Sequence, residues 1–168
     1  MITAQDIIKL FDMKLLPGEG GYYSETQRSG HMLSAPSLPD EYDSERSMSC
    51  AIYYLLTPDT KSLLHRLPTN EIYHFYLGDP VNMLHLFPDG SSQTIVLGQD
   101  LIKGELVQVN VPKNVWQGSC LKEGGKFALM GTTMAPAFDF ADHEIGDRSA
   151  LINEFPSQKE LILKLTKA

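Results

Sequence analysis

The stretch His65-Arg66-Leu67-Pro68-Thr69-Asn70-Glu71-Ile72-Tyr73-His74 puts two imidazoles, a guanidinium and a carboxylate within ten positions, just ahead of a Gly78-Asp79-Pro80 turn. Imidazole and carboxylate together support two chemistries: ligation of a first-row metal ion, or proton transfer by a pair poised near neutral pH. Strand parity narrows the choice. Alternate side chains of a strand share a face, so His65 lies with Leu67, Glu71 lies with Tyr73 and Phe75, and His74 points the other way. The two histidines are not expected to work together, and His74 reads as a hydrogen-bonded packing residue. Arg66 has the parity opposite to His65 and is expected to pair with a carboxylate on the outer face or at a dimer interface, a surface pair being worth about 0 to 1 kcal/mol. His85 is a weaker candidate still.

A second candidate stretch is GEGGYYSET, residues 18–26. Gly18, Gly20 and Gly21 permit close backbone approach and positive φ, but no helix follows and the pattern is not a phosphate loop. The stretch reads either as an irregular entry into the first strand or as a pocket mouth lined by Tyr22, Tyr23 and Glu25, with Arg28 available to an anionic group. Together with Tyr73, Phe75 and Trp116 they compose an amphipathic small-molecule site. Its aromatic faces suit stacking on a sugar or base, and the Gln117 amide suits fixing orientation. MAPAFDFADHE, residues 134–144, reads as a structural closing segment with Phe138 and Phe140 packed inward and Asp139 accepting hydrogen bonds.

The elements that must hold these residues are legible as period and punctuation. Thr3 with Asp6 caps an N-terminal helix carrying Ile7, Ile8, Leu10 and Phe11, and Ser157 with Glu160 suggests a matching C-terminal helix with Leu161, Ile162 and Leu165. Between them, strands are expected near 48–57, 61–67, 70–77, 81–87, 93–98, 106–111 and 126–135, separated by Pro, Asp and Gly turns. This is the pattern of an antiparallel sandwich or barrel. Residues 28–47, rich in Ser, Pro and charge, read as a long surface loop.

At 168 residues the chain is expected to form one domain over 1–168. Its net charge of -7 opposes nucleic-acid binding. Asp6 and Asp12 interrupt any secretory signal, and no apolar run is long enough to span a membrane, so a cytoplasmic protein without membrane contact is expected. Cys50 and Cys120 match neither a disulfide framework nor a zinc spacing.

The motifs resemble the cupin superfamily, whose first motif is H-x-H-x(3,4)-E-x(6)-G and whose second is P-x-G-x(2)-H. His65, Leu67, Glu71 and Gly78 fall on the first spacing, and Pro112, Asn114 and Gln117 on the second. More closely, EGGYYSET, IYYLL, HRLPTNEIYHFYLGDP, VPKNVWQ and MAPAFDFADHE resemble, in order, a family of uncharacterised single-domain cupins. The chain departs from that pattern at Asn70, Tyr73 and His143, which stand for an acid, an aromatic and an aromatic. The resemblance implies a mainly β, double-stranded β-helix (jelly-roll) barrel with short terminal helices, a homodimer, and a fold similar to the dTDP-sugar epimerases. By analogy with those enzymes, His65 is the candidate base, with Glu71 orienting it and Tyr73 returning a proton to a sugar or nucleotide-sugar. The degenerate metal set His65, Glu71 and Gln117 offers two strong donors where zinc sites use at least three, so a divalent metal is disfavoured and no cofactor is expected. A metal-dependent enzyme and a non-catalytic ligand-binding protein stay open as alternatives.

Overall fold

The computed structural model describes residues 2–167. Helix α1 (Ala4–Leu10) has the expected reciprocal cap: Asp6 N–H donates to Thr3 Oγ1, and Thr3 N–H donates to the Asp6 carboxylate at 2.9 Å. It buries Ile7 against Met13, Leu55 and Leu129.

Among the described residues thirteen strands follow. They are β1 (Lys14–Leu15), β2 (Tyr22–Arg28), β3 (Met32–Leu33), β4 (Arg46–Ser47), β5 (Cys50–Leu56), β6 (Ser62–Arg66), β7 (Glu71–Gly78), β8 (Val81–Leu86), β9 (Ser92–Leu97), β10 (Gln108–Val111), β11 (Trp116–Leu121), β12 (Ala128–Met134) and β13 (Glu144–Ile145). A six-stranded sheet has the order β1-β2-β5-β12-β7-β10, and a five-stranded sheet β13-β6-β11-β8-β9, while β3 and β4 form a separate ribbon. The strand pairs within all three sheets are antiparallel.

The two large sheets pack face to face. Tyr54, Tyr73, Phe75, Val109 and Met130 from one meet Val81, Met83, Leu97 and Leu121 from the other in a continuous core. This is the jelly roll that the motifs implied, in an open form: among the described residues the two large sheets share no strand. The far face of the five-stranded sheet is covered as well. Leu64, Leu84, Leu86 and Cys120 pack under α2 (Arg148–Glu154) and α3 (Lys159–Lys164) through Leu151, Phe155, Ile162 and Leu165. Burial on both faces explains why β8 is buried at five of its six positions instead of alternating.

Several expectations need correction. Ser157 caps nothing; the C-terminal segment is two helices, and α2 is capped by Asp147, whose side chain accepts from Ala150 N–H at 2.8 Å. Phe155, next to Pro156, leaves helical geometry, as the residue before proline is biased to do. Residues 28–47 are not a plain surface loop, since β3 and β4 pair within them and Arg46 and Ser47 are buried. β2 and β11 were missed as strands. YYSETQR is largely polar and WQGSCL lacks alternation, because tertiary position and not side-chain pattern decides both. Among the described residues no helix is long and apolar enough to cross a membrane. Cys50 and Cys120 are buried and free.

His85 sits inside the sandwich with only 2% of its surface exposed, and its Nε2 has no hydrogen-bond partner among the described residues. Burial pulls its pKa down to about 4. The unfolded chain therefore binds a proton that the fold refuses between about pH 6.5 and 4, and stability falls as pH drops through that window. The full difference is worth on the order of 3 kcal/mol. His85→Leu is expected to flatten this part of the curve relative to wild type, as measured by urea unfolding at pH 7, 5.5 and 4; parallel curves would show that His85 does not titrate on unfolding.

Candidate functional site

β6 carries the central residue. His65 is paired across the sheet with Gln117 of β11 on one side and Ile145 of β13 on the other. Its Nδ1 lies 2.7 Å from the Leu63 carbonyl oxygen. A carbonyl only accepts, so Nδ1 carries the proton, and in the neutral ring Nε2 keeps its lone pair. That Nε2 faces Glu19 Oε2 at 3.7 Å.

Glu19 is delivered by the turn before β2. Gly20 and Gly21 both have positive φ, at 102° and 74°, and Leu63 N–H donates to the Glu19 carbonyl at 3.0 Å. The carboxylate is buried. Its Oε1 accepts from Ser62 Oγ at 2.7 Å and from the Tyr54 hydroxyl at 3.2 Å. Burial alone would push Glu19 up, but His65, His143 and Ser62 outweigh it and hold the group below the usual carboxylate range.

The third member, His143, comes from the segment after β12. Its Nε2 is 3.4 Å from Glu19 Oε2, and its ring centre is 4.9 Å from that of His65. The segment is fixed by ion pairs on both sides of the histidine. Arg46 grips Asp142 through two bonds of 2.8 and 2.6 Å, and Arg66 grips Glu144 through two of 2.7 and 3.0 Å. Arg66 thus finds an outer-face carboxylate, as its parity predicted, and also lies 4.5 Å from the centre of the Trp116 ring.

Glu19 and His65 open on a cavity of about 120 Å³, which His143 does not line. His65, Glu71, Tyr73, Tyr23, Glu25 and Arg28 line it, with Glu19, Tyr54, Leu67, Phe138 and Phe140. Arg28 is paired with Glu25 at 2.8 Å and also donates to the Phe138 carbonyl. Burial pushes the Glu71 carboxyl up, only partly countered by His65. His74 points away from the cavity and bonds Thr133 at 3.0 Å, consistent with a packing role.

The remaining candidates lie elsewhere. Tyr22 faces the α1 cluster, Phe75 is in the core between the sheets, and Trp116 packs toward the C-terminal helices. Gln117 is buried behind the cavity wall and donates to Glu71 Oε2 at 2.7 Å. Glu71 therefore does not orient His65; Leu63 and Glu19 take that place. Phe138 and Phe140 are cavity lining and not merely closing residues, and Phe140 is half exposed.

Glu19, Tyr54 and His143 were missed. The signals for two of them were present: Glu19 opens the glycine-rich EGGYYSET stretch, and His143 is a departure from the family pattern at an aromatic position.

The superfamily's motif positions do not fit a metal ion in this chain. Leu67 presents hydrocarbon to the cavity, and Gln117 offers only its Oε1, a neutral and weak donor without a hydrogen-bond partner among the described residues, so only His65 and Glu71 are strong donors at these positions. Asn114, at the glycine position of the second motif, has φ of 63°, a left-handed conformation that asparagine tolerates. The backbone of the motif is kept while its ligands are exchanged.

A two-sheet antiparallel jelly roll whose mainly apolar interior cavity carries a few polar side chains fits the cupin class. The family model described as "Cupin superfamily (DUF985)" matches residues 5–146, and the chain belongs to that family. It is 33% identical over 133 residues to the uncharacterized protein YML079W of Saccharomyces cerevisiae, a match covering 74% of this chain and 66% of that protein, just under two thirds of its length. Among solved structures it resembles a hypothetical protein from Leishmania major (TM-score 0.88, 28% identity, 99% and 100% of the two chains). It also resembles protein SO0799 from Shewanella oneidensis (TM-score 0.87, 33% identity, 99% of each chain).

The turn that delivers Glu19 is open to test. A Cβ at Gly21 would collide with the Tyr54 ring and hydroxyl on a backbone that already has positive φ. Gly21→Ala is expected to cost about 2–4 kcal/mol and to displace Tyr54 and with it Glu19. Chemical denaturation and the Tyr54 side-chain NMR signals measure both; a loss below about 0.5 kcal/mol contradicts the tight packing described.

Proposed function

We propose that the cavity binds a small polar organic molecule and moves a proton on it, with His65 as the base, in a reaction of the isomerase or epimerase type. The observation that carries this reading is the fixed tautomer of His65. Its Nδ1–H is committed to the Leu63 carbonyl, and its Nε2 lone pair lies at the wall of a buried cavity. A base must present an unprotonated atom to a bound C–H, and this arrangement does so. Glu19, held ionised beside it, stabilises the imidazolium that forms. Across the cavity, burial shifts the Glu71 carboxyl toward holding its proton more tightly than an ordinary carboxylate, and Tyr73 is a buried phenol; each, when protonated, can donate to a ligand carbonyl oxygen as charge develops there. Two carboxyl groups with preferences pushed in opposite directions are the usual mark of an acid–base division of labour.

The cavity volume of about 120 Å³ suits a hydroxy acid or a single sugar ring. The remainder of a nucleotide-sugar would extend past Phe140 into solvent.

The test uses chelator-treated protein. A thermal-shift screen over monosaccharides, hydroxy acids and keto acids identifies a ligand, since one at 100 times its Kd stabilises by about 2.7 kcal/mol. Proton exchange of that ligand in D₂O is then followed by NMR. His65→Gln is expected to slow exchange by about 10²- to 10⁴-fold while retaining binding. Binding without exchange in wild type supports the non-catalytic alternative, and exchange unchanged in His65→Gln removes His65 as the base.

A further inference from the structure

Beyond the proton-transfer reading, we infer that Glu19, His65 and His143 form a binding site for a first-row divalent cation. Glu19 Oε2 lies 3.7 Å from His65 Nε2 and 3.4 Å from His143 Nε2, and the three donor atoms all fall within 4.8 Å of one another. Four ligands around an ion with bonds of about 2.0–2.1 Å are separated by about 3.4 Å. The two carboxylate–imidazole spacings match that edge to within a few tenths of an ångström, yet they are too long or too poorly aimed for good hydrogen bonds.

The orientation of each donor fits. His65 gives its Nδ1–H to a backbone carbonyl, the partner that ligating histidines ordinarily use, and turns Nε2 inward. Glu19 gives Oε1 to Ser62 and Tyr54 and keeps Oε2 for the cluster. The His143 side chain is only 6% exposed, and its Nε2, aimed at Glu19, has no hydrogen-bond partner among the described residues. A buried ring nitrogen without a partner, facing a carboxylate and a second imidazole, is accounted for by an ion between them.

The set shares only His65 with the superfamily's motif positions. Glu19 comes from the turn before β2 and His143 from the segment after β12. Two imidazoles and a carboxylate select zinc, iron, cobalt or manganese over magnesium or calcium. Three protein donors leave at least one coordination position for an oxygen of a bound molecule. A cation on His65 Nε2 occupies the lone pair that proton transfer requires, so the two uses of this residue exclude each other.

The experiment is titration of the full-length, chelator-stripped protein with CoCl₂, followed by visible absorption, and with ZnCl₂, followed by calorimetry. One ion per chain is expected. His143→Phe adds a ring beside Phe138 and Phe140 and should fold as wild type by circular dichroism. It is expected to weaken both ions on the order of a hundredfold, and Glu19→Gln is expected to do the same, while His74→Gln, outside the site, leaves affinity unchanged. Substoichiometric uptake overturns the inference, as does wild-type affinity in the folded His143→Phe protein. Exchange is measured on the stripped protein, so loss of cation binding with exchange intact removes this inference alone, and the reverse outcome removes the proton-transfer reading alone.

Discussion

The site depends on keeping a carboxylate inside a β-sandwich. A buried ionised group is tolerated only when its oxygens are bonded and its charge is answered nearby. For Glu19 the bonds come from Ser62 and Tyr54, and the answering groups are the imidazoles of His65 and His143. Three consequences follow for the backbone. The chain must double back tightly enough before β2 to insert residue 19, which Gly20 and Gly21 permit. β6 must run close beneath that turn, which the bond from Leu63 N–H to the Glu19 carbonyl secures. And a segment 120 residues further along must close over the same point.

That last requirement explains an otherwise costly arrangement. Arg46 is almost wholly buried, and so is its partner Asp142. An isolated pair of this kind rarely adds net stability, and removing one partner alone costs several kcal/mol. Here the pair fixes geometry: it joins the β3–β4 ribbon to the residue immediately before His143. On the other side Glu144 is held by Arg66, and Ile145 pairs in register with His65 itself. His143 is therefore held on both flanks by bidentate guanidinium–carboxylate contacts, which specify direction as well as distance.

The fold was legible wherever side-chain pattern and burial agree. The strands around 50–56, 62–66, 71–78 and 128–134 were found because their inward residues are apolar or aromatic. β2 and β11 were not, because one is half solvated and the other buries Gln117, Gly118 and Ser119. Within the site, period-two parity gave the shared face of Glu71 and Tyr73 and of His65 and Leu67, and all four line one cavity, a convergence of two strands that the cupin resemblance and not parity implied. The partners of His65 were implied by neither. Glu19 and His143 sit on a turn and on an irregular segment, where no period relates sequence position to direction, and only tertiary contacts bring them to β6. The same limit led Trp116 to be read as a pocket residue, although its side chain packs on the far face of the sheet, while Gln117 faces inward but reaches the cavity only through Glu71.

The exchange of ligands within a kept backbone is the clearest instance of how this architecture varies. At the motif positions the chain has Leu67 and Gln117, one apolar and one bonded to Glu71, so the strand-borne set keeps His65 and Glu71 as its only strong metal donors. Further polar groups appear at the same end of the sandwich on the two connections that cross it, the turn before β2 and the segment after β12. Connections carry little of the core, so their side chains can change without disturbing the packing of Tyr54, Phe75 or Met130. His65 is the hinge of this exchange, because β6 lies under both connections and its backbone carbonyl at Leu63 holds the ring in one orientation whichever partners face it. A site assembled in this way keeps His65 and Glu71 at motif positions on strands and adds Glu19 and His143 from connections, so motif spacing alone finds only part of the polar cluster.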